Sequence, residues 1–190
     1  FMGWMGTASL AGHEIALNMA ALTFMVPLGV SGAAAAVVGR AIGRGDFSTA
    51  RRDAVAAIAC GVGFMCISAL VFIGAPAWLT SLYTNEPATV AVAVSLIPLA
   101  GWFQVFDGLQ AVTSGVLRGT GDTRIPAMLH LIAFWGVGIP LGYYLGFHTP
   151  WREQGLWMGL VAGLAAAAFL QSARVFRRLQ SDIARVQIDH

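Results

Sequence analysis

Lysine is absent from this chain, and all eleven of its basic residues are arginine. Charge of either sign is scarce: charged residues make up 11% of the 190 positions, where an average soluble domain carries about 25%. A soluble chain so poor in charge has too little polar surface to cover itself, which excludes an ordinary soluble domain. Cysteine is nearly absent too. Cys60 and Cys66 lie in one apolar run without histidine or acidic neighbours, so neither a disulfide framework nor a metal-ligand spacing is present. They read as small lipid- or core-facing residues. No metal and no nucleic-acid partner are expected. No signal-peptide pattern precedes the first apolar run. The chain opens at Phe1, inside an apolar segment, as expected of a piece of a longer protein.

What is present is hydrophobic: 57% of residues, with a mean hydropathy of +0.73. The pattern predicts an all-α, polytopic bundle with the lipid bilayer as its solvent. Residues 1–7 read as the last turns of a helix, followed by spans over approximately 8–38, 54–79, 91–117, 126–147 and 155–173. Residues 1–176 then form one transmembrane lobe and 177–190 a tail. Gly39 to Asp53 reads as a loop, and the amphipathic stretch from Arg174 as a segment along the membrane surface. Pro27, Pro98 and Pro140 fall inside spans, where such breaks free carbonyls and permit bending. Small-residue stretches such as Ser31 to Gly39 suit close helix packing.

If each run crosses once, ten arginines fall on one face and only Arg152 on the other. The positive-inside rule makes the arginine-rich face and the C-terminus cytoplasmic, in a cell inner membrane. Two turns on that face, Gly43 to Asp46 and Gly119 to Asp122, repeat Gly-x-Gly-Asp. Intramembrane aspartyl proteases use such a motif, but their chemistry needs two aspartates facing each other within the bilayer. Left-handed glycine turns account for both copies.

The unusual residue is Asp107. It stands eleven positions before Arg118, the first charge beyond its run, so it lies roughly 16 Å from the edge of a core of about 30 Å. A carboxylate there costs about 2.5–3.5 kcal/mol on insertion scales. Gln104, Asp107, Gln110 and Ser114 follow at steps of three, three and four, which places them on one side of a helix. Such a stripe wants water, an ion or another polar helix beside it. Two readings of Asp107 stand: an ion- or proton-binding group, or a neutral acid held by helix–helix hydrogen bonds. His13, Glu14 and Asn18 lie in the outer half of the first complete span. They form either an interfacial cluster or a polar wall of an outward-facing cavity shared with the Asp107 stripe. His13-Glu14 does not begin a zinc-protease motif, since Leu17 stands where the second histidine belongs.

Three stretches, HEIALNMAALTFMVPLGVSGAAAAVVGRAIGRGD, FQVFDGLQAVTSGVLRGTGDTRIPAML and FWGVGIPLGYYLGF, closely resemble the multidrug and toxic compound extrusion (MATE) family, NorM-like branch. The resemblance covers most of the chain, with the motifs in order. It implies the C-terminal lobe of a twelve-helix fold, from the end of the seventh helix onward. The implied partners are an N-terminal lobe and small organic, often cationic substrates, exported in exchange for Na⁺ or H⁺ as coupling ion, with no other cofactor. The family's tenth-helix coupling carboxylate matches Asp107. Asn18 matches the polar position before the Met-Val-Pro segment of the eighth helix. The seventh-helix acidic residue of that site is implied upstream of Phe1. Rival readings are a related lipid-linked oligosaccharide flippase, an intramembrane enzyme, or a structural membrane subunit.

Overall fold

The computed structural model describes residues 1–180, all helix and short turns with no strand among them. A short α1 (Met2–Met5) ends at Gly6, whose φ of 128° breaks the chain before α2 (Thr7–Gly43). α3 (Phe47–Gly74) and the short α4 (Pro76–Ser81) follow, then α5 (Pro87–Gly119). A fourth long helix is built from α6 (Arg124–Ala133), a π turn (Phe134–Gly138) and α7 (Ile139–His148), and α8 (Arg152–Gln180) closes the described chain. Five of these helical stretches are long and apolar enough to cross a membrane.

The helices outrun the predicted spans. The 37 residues of α2 extend roughly 55 Å, well past a hydrocarbon core of about 30 Å. Hydropathy marks only the part at lipid depth. The expected loop from Gly39 to Asp53 is a correction of the same kind: it shrinks to Arg44, Gly45 and Asp46. Only Gly45 turns left-handed, at φ 74°, while Gly39 is a packing glycine whose face meets the carbonyl of Gly119. The segment from Arg174 does not separate as a surface strip either. It continues α8 to Gln180 and is tied back by side chains described below. The rest of the predicted tail, 181–190, lies outside the described residues.

α2 and α5 continue through Pro27 and Pro98 without a break. Pro140 acts one turn earlier. Its missing N–H and its ring crowd the preceding turn, and the helix widens there into the π turn, where the Ile139 N–H reaches back to Phe134. The two Gly-x-Gly-Asp turns share one geometry. The Asp46 N–H donates to the Ala41 carbonyl at 3.0 Å and the Asp122 N–H to the Leu117 carbonyl at 2.9 Å. Each follows a glycine of positive φ, Gly45 or Gly121. Both are therefore six-to-one closures of a helix end. Asp46 then caps α3, accepting from the Thr49 N–H. Hydrogen bonds from Thr49 and Ser48 hold its carboxyl down at about 2. The cap is therefore intact above the ordinary carboxylate range and is lost as pH falls through that value.

α5 is the axis of the bundle: α2, α3 and α8 all pack along it. The fourth long helix leans mainly on α8. With lipid tails as apolar as leucine, close backbone approach replaces the hydrophobic effect as the glue. Gly115 of α5 sits so close to α2 that a Cβ there would lie 2.3 Å from the Ser31 carbonyl oxygen. α7 and α8 are held by facing glycines at four-residue spacing, with Gly142 against Gly159 and Gly138 against Gly163. A Cβ on Gly159 would meet Gly142 Cα at 2.2 Å.

Gly159→Val is therefore expected to destabilise the protein by about 1–3 kcal/mol or more, because backbone cannot move aside as a side chain can. Gly29→Ala, at a helical position facing open space, is expected to be neutral or to gain roughly 0.5–1 kcal/mol. Equilibrium unfolding in mixed micelles compares the two, and equal stability of both variants would contradict this packing.

Candidate functional site

The polar residues inside the bundle divide into groups, and the helical register of α5 explains the division. Gln104 turns away from its companions, toward α2 and α3. It is fully buried, and its Oε1 accepts from Thr23 Oγ1 and Ser68 Oγ, each at 2.8 Å. Three helices are tied at this one oxygen, while Gln104 Nε2 has no partner among the described residues. Gln104 thus belongs to the lobe's own interior and lines none of the cavities described here.

Gln110 and Ser114 face the other way, into a cleft of about 590 Å³ at the arginine-rich end. His130 of α6 and Gln171 of α8 also line it, together with Arg118, Asp122 and Thr123. Gln171 is buried, donates from Nε2 to the Pro126 carbonyl at 3.3 Å, and so pins the start of α6 to α8. His130 lies against the Phe134 ring, at 4.7 Å between centroids. Neither Gln171 nor His130 stood out in the sequence. A single glutamine or histidine within an apolar run carries no spacing signal, and only the packing of α6 and α8 against α5 reveals them.

His13 and Glu14 line a separate cavity of about 310 Å³ at the end of the bundle away from the arginine-rich turns, walled by α1, α2, α7 and α8. Asn18 is not in it. Its side-chain oxygen accepts from Tyr83 Oη at 3.0 Å, next to the turn after α4. The outer polar residues and the α5 stripe therefore do not share one cavity. Between them stands an aromatic chain: His13 meets the Trp157 ring at 5.7 Å, and Trp157 meets Phe103 at 5.8 Å.

Asp107 stands one turn along α5 from Phe103, on the face that also carries Gln110 and Ser114. It is half-buried, and it makes no hydrogen bond or ion pair with any described residue. By register it lies between the aromatic chain and the inner cleft. Two other carboxylates at the ends of the bundle do have partners. Glu153 accepts from Ser9 Oγ at 2.5 Å at the outer end. Asp122 accepts from Arg174 Nε at 2.6 Å, with Arg178 at 3.7 Å. No cluster of three histidine, cysteine or acidic side chains suited to a metal occurs among the described residues. Cys60 and Cys66 are both exposed on α3.

The MatE family model matches residues 1–144. The chain belongs to the MatE family. Its five spans make it a multi-pass membrane protein. The multidrug resistance protein NorM of Burkholderia vietnamiensis is 45% identical over 188 residues, covering 96% of this chain and 41% of its own length. A probable multidrug resistance protein NorM of Xylella fastidiosa is 43% identical over 169 residues, covering 89% and 36%. A crystal structure of a eukaryotic MATE transporter, 28% identical, matches with a TM-score of 0.82 over 87% of this chain and 37% of that one. An outward-facing multidrug resistance MATE transporter, 18% identical, has the same fold, with a TM-score of 0.85 over 93% and 40%. The MatE chain described here spans about 40% of the length of the curated relatives it matches.

Gln104→Leu in a full-length MatE transporter is expected to cost no more than about 1 kcal/mol, since interhelical hydrogen bonds in lipid average roughly 0.6 kcal/mol. Thr23 Oγ1 can turn its one proton to the Ala20 carbonyl instead, and an amide without a partner among the described residues disappears. Chemical unfolding of the purified variant checks this. A loss of several kcal/mol would make Gln104 the keystone of the lobe instead.

Proposed function

We propose that this chain is the C-terminal lobe of a secondary multidrug exporter. The whole protein would carry amphiphilic, often cationic compounds out of the cell in exchange for Na⁺ or H⁺, with Asp107 as the coupling carboxylate. The observation that carries this reading is the contrast between Asp107 and its fellow acids. Asp122 and Glu153 have partners within the lobe, whereas Asp107 is half-buried at membrane depth with none among the described residues. A charge so placed is uncompensated until something cationic arrives, and proteins keep such a group where it binds. The multidrug resistance role named for the NorM relatives supports the substrate class.

The exchange logic follows from one negative charge. A proton, a sodium ion or a cationic substrate each neutralises Asp107, and one excludes the others. Transport requires that the ion bind with different affinity in two states of the protein, since an ion with equal affinity for both shifts nothing. A proton needs only the carboxylate. Na⁺, a hard cation, needs further oxygens, for which Gln110 and Ser114 on the same face are the nearest in register. The outer cavity with His13 and Glu14 and the inner cleft with Gln110, Ser114 and His130 would serve as routes from the two sides. In this reading the membrane is the cell inner membrane, the arginine-rich end is cytoplasmic, and a second lobe of the same transporter completes the central cavity.

Cells carrying the full-length parent are expected to expel a fluorescent cationic dye under an imposed H⁺ or Na⁺ gradient, and the gradient that drives export names the ion. Asp107→Asn is expected to insert normally and to lose gradient-driven efflux by about tenfold or more, as removal of a general coupling charge requires. Normal export by Asp107→Asn would overturn the role of Asp107. Wild type without gradient-dependent efflux would overturn the exporter.

A further inference from the structure

α3 and α8 both pack along α5 but hardly touch each other. The gap between them is an apolar slot of about 510 Å³, with Ile58 and Gly63 on one wall, Val175 and Phe176 on the other, and Leu109 of α5 at its floor. Its mouth at the arginine-rich end is of opposite character. A cup of about 520 Å³ there is lined by Ser48, Arg51 and Arg52 together with Val55 and Ala59. Val55 and Ala59 also line the slot, so cup and slot are continuous.

We propose that this crevice binds one anionic phospholipid, with its phosphate in the Ser48–Arg51–Arg52 cup and an acyl chain in the slot between α3 and α8. Three observations carry the assignment. The first is length: Arg51 and Gly63 are twelve residues apart on one helix, about 18 Å, close to the depth of a single leaflet. The second is charge complementarity. Two guanidiniums stand over an apolar channel, and arginine suits phosphate by its planar fork of donors. Arg51 is also held in place, donating from Nε to the Leu179 carbonyl at 3.1 Å and from Nη2 to the same oxygen, which closes the top of the slot against α8. Arg52 is open to solvent, with the Asp53 carboxylate 3.9 Å away as its one acidic neighbour in contact. The third is an orphan. Ser172 Oγ is buried in the slot wall without a hydrogen-bond partner among the described residues. It lies seven residues before Leu179, roughly 10 Å deeper along α8, where it can donate to an ester carbonyl of a lipid seated at the mouth. The proposal rests on membrane insertion alone and is independent of Asp107 and of the coupling ion.

The test uses the purified full-length transporter, exchanged into an equimolar mixture of phosphatidylglycerol and phosphatidylcholine, with retained lipids counted by native mass spectrometry. Wild type is expected to retain phosphatidylglycerol preferentially. Arg51→Gln with Arg52→Gln is expected to lower that preference about fivefold for each arginine, the effect of one basic residue near an anionic surface. Arg52→Gln alone leaves the Arg51–Leu179 contact in place and keeps the test valid if the double variant fails to fold. Gly63→Phe, filling the slot, is expected to abolish retention although both arginines remain. Arg124→Gln, at the same end but outside the crevice, is expected to change nothing. Equal retention of the two lipids by wild type, or an equal loss in Arg124→Gln and Arg52→Gln, would overturn the proposal in favour of diffuse headgroup attraction. Undiminished retention in Gly63→Phe would overturn the slot.

Discussion

Hydrocarbon supplies no hydrogen-bond partners, so every polar group carried into it must find one within the protein or be left wanting. That constraint sorts the polar side chains of this lobe. Gln104 collects two hydroxyls from neighbouring helices at one oxygen. Gln171 spends its amide on the carbonyl of Pro126, the residue at which a new helix begins to pack. At the arginine-rich end, Asp122 holds Arg174 and Arg51 donates to the Leu179 carbonyl of α8. These contacts make the bundle one object. Asp107 is the half-buried acid at lipid depth that they leave out, without a partner among the described residues.

The second constraint is the weakness of the hydrophobic effect between helices in lipid. Van der Waals contact at short range must take its place, and short range requires glycine. α5 meets α2 through Gly115 and Gly119, and α7 meets α8 through the facing glycines. The same contacts explain why α5 is the axis, since it offers small residues on more than one side. They also explain the crevice between α3 and α8. Both helices are bound to α5 rather than to one another, so a gap the width of a chain remains.

Much of the architecture was legible in the sequence, because run length and arginine placement are long-range signals that need no packing detail. Five spans, their order and the polar stripe of α5 all follow from them. What was not legible turned on glycines and on register. Gly39, Gly43 and Gly45 look alike in a stretch rich in arginine, yet only Gly45 needs a positive φ. The loop expected there is mostly helix. The stripe placed Gln104 beside Asp107, but residues three apart on a helix differ by about a sixth of the circumference, and Gln104 points into the bundle. His130 and Gln171 were invisible for the converse reason: their helices carry no periodic polar signal, and their meaning comes from what they face.

The separation of the outer cavity from the inner cleft gives the arrangement around Asp107 its logic. In the exchange proposed above, a carboxylate open to both sides at once would leak its ion, and one open to neither would never load. Trp157 and Phe103 stand on the outer side of Asp107, with Trp157 fully buried among its neighbours. The cleft with Gln110, Ser114 and His130 lies on the other. A large ring in a close-packed core has few intermediate positions, because packed interiors switch between arrangements rather than deform smoothly. Trp157 is carried by α8, which is clamped by Ser9 to Glu153 at one end and by Arg174 to Asp122 towards the arginine-rich end. A barrier held that firmly moves only with its helix. In the proposed exchange, access to Asp107 past Trp157 is therefore tied to how α8 and α5 sit against each other, while glycine contacts fix α8 against α7 and α5 against α2 and α3.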